Sequence, residues 1–362
     1  MNTNKLSWQL VGNNESLPTT SDKNASVYQG VEWEKMFQAY GHQTWPLVCK
    51  QDDEIVAYCL AFLPKPYSYG GFRGLRTEIN QKLFPGLVIN GGPRILKSDI
   101  AKEAHRELAN LLKEHPYSGV FRQSIQARHL STDNKNAIEI ASELNAAGFE
   151  SRIAHTFLLN LEKSPEELWS GVHPKKRNRV NRAKRDGIVV REAMGIEGMK
   201  NYYAIRQDTW RRNRLPEVPL AHFETTLSAL QGTGAMKIYI SSIDGVDLAG
   251  QICFLSSNLV QLNGVAVTNA NFEGRYPGNE LLQWHVIEEM NKAGLRKLDY
   301  GGATPNTTDP KKKGIHSFKK SWGGDLVEHF NFERRLPGWR SSLFNLISSP
   351  KKSAEGDGAS VL

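Results

Sequence analysis

Pro277-Gly-Asn-Glu-Leu-Leu-Gln-Trp-His-Val-Ile-Glu-Glu-Met, Gly294-Leu-Arg-Lys-Leu-Asp-Tyr-Gly-Gly and Gly314-Ile-His-Ser-Phe-Lys-Lys-Ser-Trp-Gly-Gly, all within residues 277–324, decide how this chain is read. In the first run Leu282, Val286 and Met290 recur every fourth residue, so one side of a helix is apolar. Pro277 opens that helix and Gly294 closes it. Leu295 to Tyr300 is too short for another helix and reads as a buried strand. The strand delivers Asp299 to its end, where Gly301 and Gly302 let the backbone turn tightly or approach a ligand. A polar loop then leads to Phe318-Lys319. Helix, strand, Asp-x-Gly-Gly, loop and Phe-Lys form an α/β site layout.

Working outward, residues 1–26 are polar and read as a flexible N-terminus. Val31–Tyr40 is a helix, Trp45–Lys50 and Ile55–Leu63 are strands, and extended segments follow around Tyr67–Leu75 and Leu87–Ile89. Asp99 caps a helix to about Glu114, Gly119–Ile125 is a strand, and Gly148 stops a helix over Asn136–Ala147. Ala154–Leu161 is the next strand, and Ser164-Pro165 starts the next helix with both a cap and a proline in its first turn. A polybasic helix from Pro174, a strand at Ile188–Arg191 and helices at Gly195–Arg211 and Leu220–Leu230 come next. Three strands lead into the opening stretch, and Leu326–Phe332 closes the fold as a strand. Helix, antiparallel strands, helix and strand therefore occur twice. The domains predicted are 27–155 and 156–335, with the site in the second, and 336–362 carries a short amphipathic helix and a disordered tail. That helix, with Trp339, Leu343, Phe344 and Ile347 next to Lys351-Lys352, either docks on the protein or touches an anionic membrane surface.

The 362 residues carry a formal charge of +8, which fits a polyanionic partner and solvated surface lysines equally well. Cys49, Cys59 and Cys253 are odd in number and have no metal spacing; a hairpin would set Cys49 opposite Val56. This favours a reducing cytosol, and neither a signal peptide nor a membrane-length apolar run is visible. Metal hydrolysis, serine hydrolase chemistry and dinucleotide oxidoreduction are disfavoured, because their motifs are missing.

His173 to Arg185 holds seven Lys or Arg and no acid. Val172, Val180 and Ala183 mark its inner side; Lys175, Arg179 and Arg182 share an outer face flanked by Arg177 and Lys184. Like charges so close repel unless a polyanion offsets them, and phosphate suits the forked guanidinium, so these residues are the candidate phosphate grip. Phe318 is either core or part of the site, and Lys319 beside it suits the stabilisation of an oxyanion in acyl transfer. Asp299 is either a general base or the residue that orients its turn. Arg275-x-x-Gly278-x-Glu280 is a weak version of a pyrophosphate loop, because a glutamate stands where a small residue should permit close approach.

Together these pieces resemble the FemABX family, the peptidoglycan interpeptide-bridge aminoacyltransferases, and their tandem GNAT-like relatives. The resemblance covers about residues 27–335. Gln29-x-x-x-Trp33-Glu-Lys35 is similar to the family's opening helix, and Gly91-Gly-Pro93 to its Gly-Pro turn. Phe157-Leu-Leu-Asn-Leu161, the basic helix, Asp186-Gly-Ile-Val-Val, Leu298-Asp-Tyr-Gly-Gly302 and Gly314-Ile-His-Ser-Phe-Lys319 complete the set in order. The resemblance implies an α/β (α+β) fold of two GNAT-like domains, each a mixed, mostly antiparallel sheet flanked by helices. It implies aminoacyl-tRNA as co-substrate without a further cofactor, and an amine of a cell-wall precursor as acceptor. Lys35 and Trp33, with Gly301 and Gly302, then serve substrate binding, while Phe318 and Lys319 meet the tRNA acceptor end and its ester. The tRNA backbone falls to Lys175, Arg177, Arg179 and Arg182. Val218 and His222 stand where the muropeptide ligases carry arginine and tyrosine, and a further tyrosine is missing around Gln261–Gly264. A nucleotide-linked muropeptide is therefore a poor acceptor for this chain. The rival readings are a coenzyme A-dependent N-acyltransferase on an amino sugar or similar amine, and a non-catalytic binder of RNA or anionic membrane.

Overall fold

Seven consecutive residues of one strand, Val56–Phe62, are buried, which a strand sustains when both faces of its sheet are covered. A computed structural model describes residues 6–12, 15–17, 27–66 and 78–347. The strands in chain order are β1 (Ser7–Leu10), β2 (Gln43–Gln51), β3 (Glu54–Leu63), β4 (Gly86–Asn90), β5 (Arg94–Ile95) and β6 (Arg122–Ser131). There follow β7 (Glu150–Asn160), β8 (Val189–Glu192), β9 (Met236–Ile243), β10 (Val246–Leu255), β11 (Leu259–Val267), β12 (Lys297–Ala303) and β13 (Asp325–Arg335). The chain forms two compact units: one runs Met1–Ala154 and resumes at Glu328, the other spans His155–Val327.

In the first unit the order is β1-β2-β3-β4-β6-β13, with β4 and β6 parallel and the other neighbours antiparallel. In the second it is β8-β9-β10-β11-β12-β7, with β11 and β12 parallel and the rest antiparallel. Each unit is thus an antiparallel meander, one parallel step and a last antiparallel strand. A parallel step needs a crossover, supplied by the helix Ala101–Leu111 in the first unit and Gly278–Lys292 in the second. Each unit has its own core: Leu47, Leu108 and Ile125 in the first, Val180, Val286 and Leu298 in the second. The fold is α/β, with a mostly antiparallel sheet flanked by helices.

Four elements depart from the sequence reading. The segment 1–26 is not wholly irregular, since β1 pairs with β2 and the buried Trp8 donates its indole N–H to the Ala104 carbonyl at 2.8 Å. The terminal strand, assigned to the second half, pairs instead with β6, and Phe332 enters the first core opposite Ile125. The polar loop before Phe318 is a helix, Pro310–Lys320, because Asp309 accepts from the Lys311 amide at 2.7 Å and Pro310 sets its first turn. Cys49 faces Ala57, because an irregularity between Cys49 and Lys50 shifts the hairpin by one residue. The three cysteines are free and buried, and burial pushes the Cys49 thiol up to about 12. The Tyr67–Leu75 segment and the tail after 347 lie outside the described residues.

Candidate active site

The end of β12 is where the candidate site forms. Its register against β7 slips between Asp299 and Gly302, and Gly301 takes φ +76°, a left-handed conformation that favours glycine. Asp299 is 3% exposed and accepts from the Gly301 amide at 2.7 Å and from the Thr156 hydroxyl. The same hydroxyl lies 2.9 Å from the Gly301 carbonyl. Of the two roles open to Asp299, orienting the turn is therefore the one with geometry behind it.

The helix Pro310–Lys320 brings Lys319 onto this turn: its Nζ donates to the Gly302 carbonyl at 2.7 Å. Asp299, Gly301 and Gly302 thus form one backbone bulge, and the Lys319 side chain reaches it from the helix. His316, one turn earlier, has its ring 4.9 Å from that of Phe157. Its pKa lies below the usual histidine value through burial first and then the Lys320, His155 and Lys319 charges. Phe318 is half-buried, 6.0 Å from Trp322 in an edge-on contact.

The other face of Phe318 carries a residue that sequence reasoning missed. Lys176 places its Nζ 4.5 Å from the ring centroid, in cation–π geometry. The same ammonium donates to Glu280 Oε1 at 2.9 Å, and Arg179 Nε lies 2.9 Å from that oxygen. Glu280 is only 7% exposed, so it is a buried anion with two cations. The signal for Lys176 was present: it sits at spacing four between Val172 and Val180, on the inner side of the basic helix Pro174–Arg185.

This network changes the reading of the basic face. Arg179 is held by Glu280, and Arg182 Nε lies 3.0 Å from Asp186 Oδ2. Lys175 is exposed and Arg177 half-buried; among the described residues neither forms an ion pair. The Gly278 amide, where a pyrophosphate would dock, already donates to Asn271 Oδ1 at 3.2 Å. A Cβ at Gly278 would lie 2.7 Å from Leu248 Cβ, so this glycine serves helix–strand packing.

In the first unit, Trp33 and Lys35 lie on the helix Val31–Ala39. Trp33 is 0% exposed and packs 4.6 Å from Tyr28 and 6.2 Å from Phe37, which leaves it no surface to offer a substrate. Aromatic packing accounts for a tryptophan at this position. Lys35 is exposed. The side chain of Gln29 donates to the Asn90 carbonyl and accepts from the Leu60 amide at 2.7 Å, which ties the opening helix to the Gly91-Gly-Pro turn.

A recess in the second unit is lined by Tyr202, Arg206, His222, Phe223, Phe254 and Asn263. Burial pushes His222 down to about 4, so it is neutral near pH 7. Arg206 donates to the Val265 carbonyl at 3.1 Å and lies 5.2 Å from the Trp210 ring. The positions that depart from the resembled family include His222 in this recess, whose walls combine aromatic rings with Arg206 and Asn263.

Residues 174–313 match the acetyltransferase (GNAT) domain model. That stretch is similar to GNAT-class acyltransferase domains. The matched span of the GNAT domain begins at the basic helix, covers Asp299 and its turn, and stops before Phe318 and Lys319. In fold the chain is similar to the crystal structure of FemX, with TM-score 0.72 and 17% identity, over 91% of this chain and 96% of that one. It is also similar to L-PGS from Bacillus licheniformis, with TM-score 0.51 and 11% identity over 86% and 90% of the two chains. A C-terminal domain (DUF2156) designated as from a lysylphosphatidylglycerol synthetase of Agrobacterium fabrum has TM-score 0.51 and 12% identity, over 79% and 84%. No curated protein sequence matches the chain. The GNAT domain match supports acyl transfer as the activity. Among the described residues no helix is long and apolar enough to cross a membrane, and no group of His, Cys, Asp and Glu suits a metal ion.

Proposed function

We infer that this acyltransferase moves an aminoacyl group from tRNA to an amine of a cell-envelope precursor. The observation that carries the donor is Glu280. A thioester cofactor's pyrophosphate would sit on the amides of the helix opened by Pro277, yet Asn271 takes the Gly278 amide and a buried carboxylate occupies that first turn. With that amide engaged and the carboxylate already paired to Lys176 and Arg179, the turn offers pyrophosphate less than an open helix N-terminus does. The same carboxylate holds Lys176 over Phe318, on the helix whose Lys175 and Arg177 present positive charge. Phe318 lies under Lys176 of that helix, and Lys319 follows it in the chain.

The chemistry asks little beyond orientation. The acceptor nitrogen attacks the ester carbonyl, the tetrahedral oxyanion forms, and the ribose oxygen departs with a proton. Lys319, positioned by the Gly302 carbonyl, is the cation for that oxyanion. The second reading, transfer from acyl-CoA to an amino sugar or similar amine, is favoured by the GNAT domain match. Binding of the full chain to aminoacyl-tRNA and to acetyl-CoA, followed across salt, separates the two. Salt-sensitive binding to the former and none to the latter is expected; the reverse removes the tRNA donor. Lys319→Ala is expected to lower transfer by roughly 10²–10³-fold with little change in fold or RNA affinity. Normal turnover in that variant removes Lys319 from the reaction.

A further inference from the structure

Beyond Gln261 and Asp299 the parallel strands β11 and β12 stop pairing and part. Ligands of α/β sheets sit in such an opening, outside the carboxyl ends of the strands. The Asp299 turn and Lys319 occupy its β12 side. The β11 side carries a second cluster, built by the helix Gly195–Asn213 and the short helix Asn269–Glu273. Arg206 donates to the Val265 carbonyl at 3.1 Å, and Arg212 to the Val267 carbonyl and to Asn269 Oδ1, each at 3.0 Å. These bonds hold the Arg212 guanidinium carbon 4.4 Å from the Phe272 ring centroid.

Phe272 is 55% exposed, and among the described residues Arg212 is its one ring contact, so the opposite face of the ring is open to solvent. An exposed phenylalanine alone is ordinary; one braced by a hydrogen-bonded arginine is preorganised. The charge around it is not neutralised. Arg211 is held by Glu217 at 2.9 Å, but among the described residues Arg206, Arg212, Arg214 and Arg275 form no ion pair. Arg214 and Arg275 are exposed, and the Arg275 amide donates to the Phe272 carbonyl at 3.1 Å. The acids beside these cations are Asp208, which accepts from the Asn269 amide at 3.0 Å, and the exposed Glu273.

An open aromatic face backed by a guanidinium, with further cations around it, suits a nucleic-acid base and its phosphates. A duplex hides its base faces in the stack, so the ligand is an unpaired nucleotide. We propose that Phe272 and Arg212 form a stacking platform for an unpaired base at the acceptor end of the donor RNA, with Arg206, Arg214 and Arg275 drawing its phosphates. The platform presupposes the RNA donor inferred above and adds where its single-stranded end is held.

Fluorescence anisotropy of the full chain with an acceptor-stem RNA minihelix tests it, comparing the minihelix that keeps its unpaired 3′ nucleotides with the same duplex trimmed blunt. Wild type is expected to bind the untrimmed form roughly 5- to 100-fold more tightly, the range a stacked base supplies. Phe272→Leu is expected to erase that preference with the melting temperature nearly unchanged, because leucine keeps apolar volume and loses the π face. Phe272→Trp is expected to keep it. Equal affinity of wild type for both duplexes, or a preference that survives in Phe272→Leu, overturns the platform and leaves the RNA donor standing. Binding of neither duplex, with binding of acetyl-CoA, removes the donor and the platform together. Uridine diphosphate is the third probe: binding tighter than the minihelix, lost in Phe272→Leu, gives the ring to a nucleotide-linked acceptor and also overturns the proposal.

Discussion

Replacing Glu280 with glutamine removes one charge and almost no volume, so it tests the buried network without opening a cavity. Glu280 Oε1 accepts from Lys176 and Arg179, each at 2.9 Å. A hydrogen bond to a charged group contributes about 1.5–3 kcal/mol, a neutral one about 0.5–1.5. For Lys176, 19% exposed against a 9% exposed carboxylate, the loss is about 1–1.5 kcal/mol. Arg179 is 49% exposed, so solvent screening holds its share to about 0.5 kcal/mol. The sum, about 1.5–2 kcal/mol, shifts the melting temperature of a unit this size by roughly 3–8 °C. Thermal unfolding followed by tryptophan fluorescence reads it well, because Trp169, Trp284 and Trp322 lie in or against the same core. The difference should shrink in molar salt for the Arg179 part and persist for the Lys176 part. A shift under 1 °C at low salt would refute the claim that Glu280 organises the basic helix.

Three further outcomes follow from the same contacts. Gly278→Ala places a methyl 2.7 Å from Leu248 Cβ and 2.8 Å from Asn271 Oδ1, so overpacking should cost about 1–3 kcal/mol in urea unfolding; an unchanged midpoint contradicts the packing role. Lys175→Ala with Arg177→Ala should flatten the salt dependence of RNA binding by roughly two counterions, whereas Arg179→Ala with Arg182→Ala, already held by Glu280 and Asp186, should change it less; equal slopes contradict the division. His105 is buried, its Nδ1 2.7 Å from the Ala101 carbonyl, and burial pushes it down to about 4. Because this lies below the unfolded value near 6.5, the unfolded chain takes the proton first. Its stability is therefore intact above about pH 6.5 and lost on acidification toward pH 4, on the order of 3 kcal/mol. His105→Leu should flatten that branch of a stability–pH curve, and a branch as steep as wild type's counts against it.

What the site owes to sequence and to tertiary structure can be separated residue by residue. Asp299-x-Gly301-Gly302 was legible as a tight turn at a strand end, because glycine and aspartate act locally. The Ser164 cap and the proline start of the basic helix were legible for the same reason, and the structure adds Glu167 to complete a capping box. The helix Pro310–Lys320 was hidden by its polar composition, though Asp309-Pro310 was a readable start. Trp33 and Lys35 look equivalent as neighbours in a motif, yet only packing shows one enclosed and the other exposed.

By itself the sequence determined the local elements: which segments are apolar every second or fourth residue, where caps and breakers fall, and that a basic helix precedes a Phe-Lys pair. Tertiary structure alone decided what those elements meet. It pairs β13 with the first unit, and repeats one pairing order in two units that share no visible sequence period. It also sets Glu280 against Lys176 and Arg179 across about a hundred residues of chain. The physical reason is range. Capping and periodicity act within a few residues, whereas strand partners and buried charge pairs depend on long-range packing that no local pattern encodes.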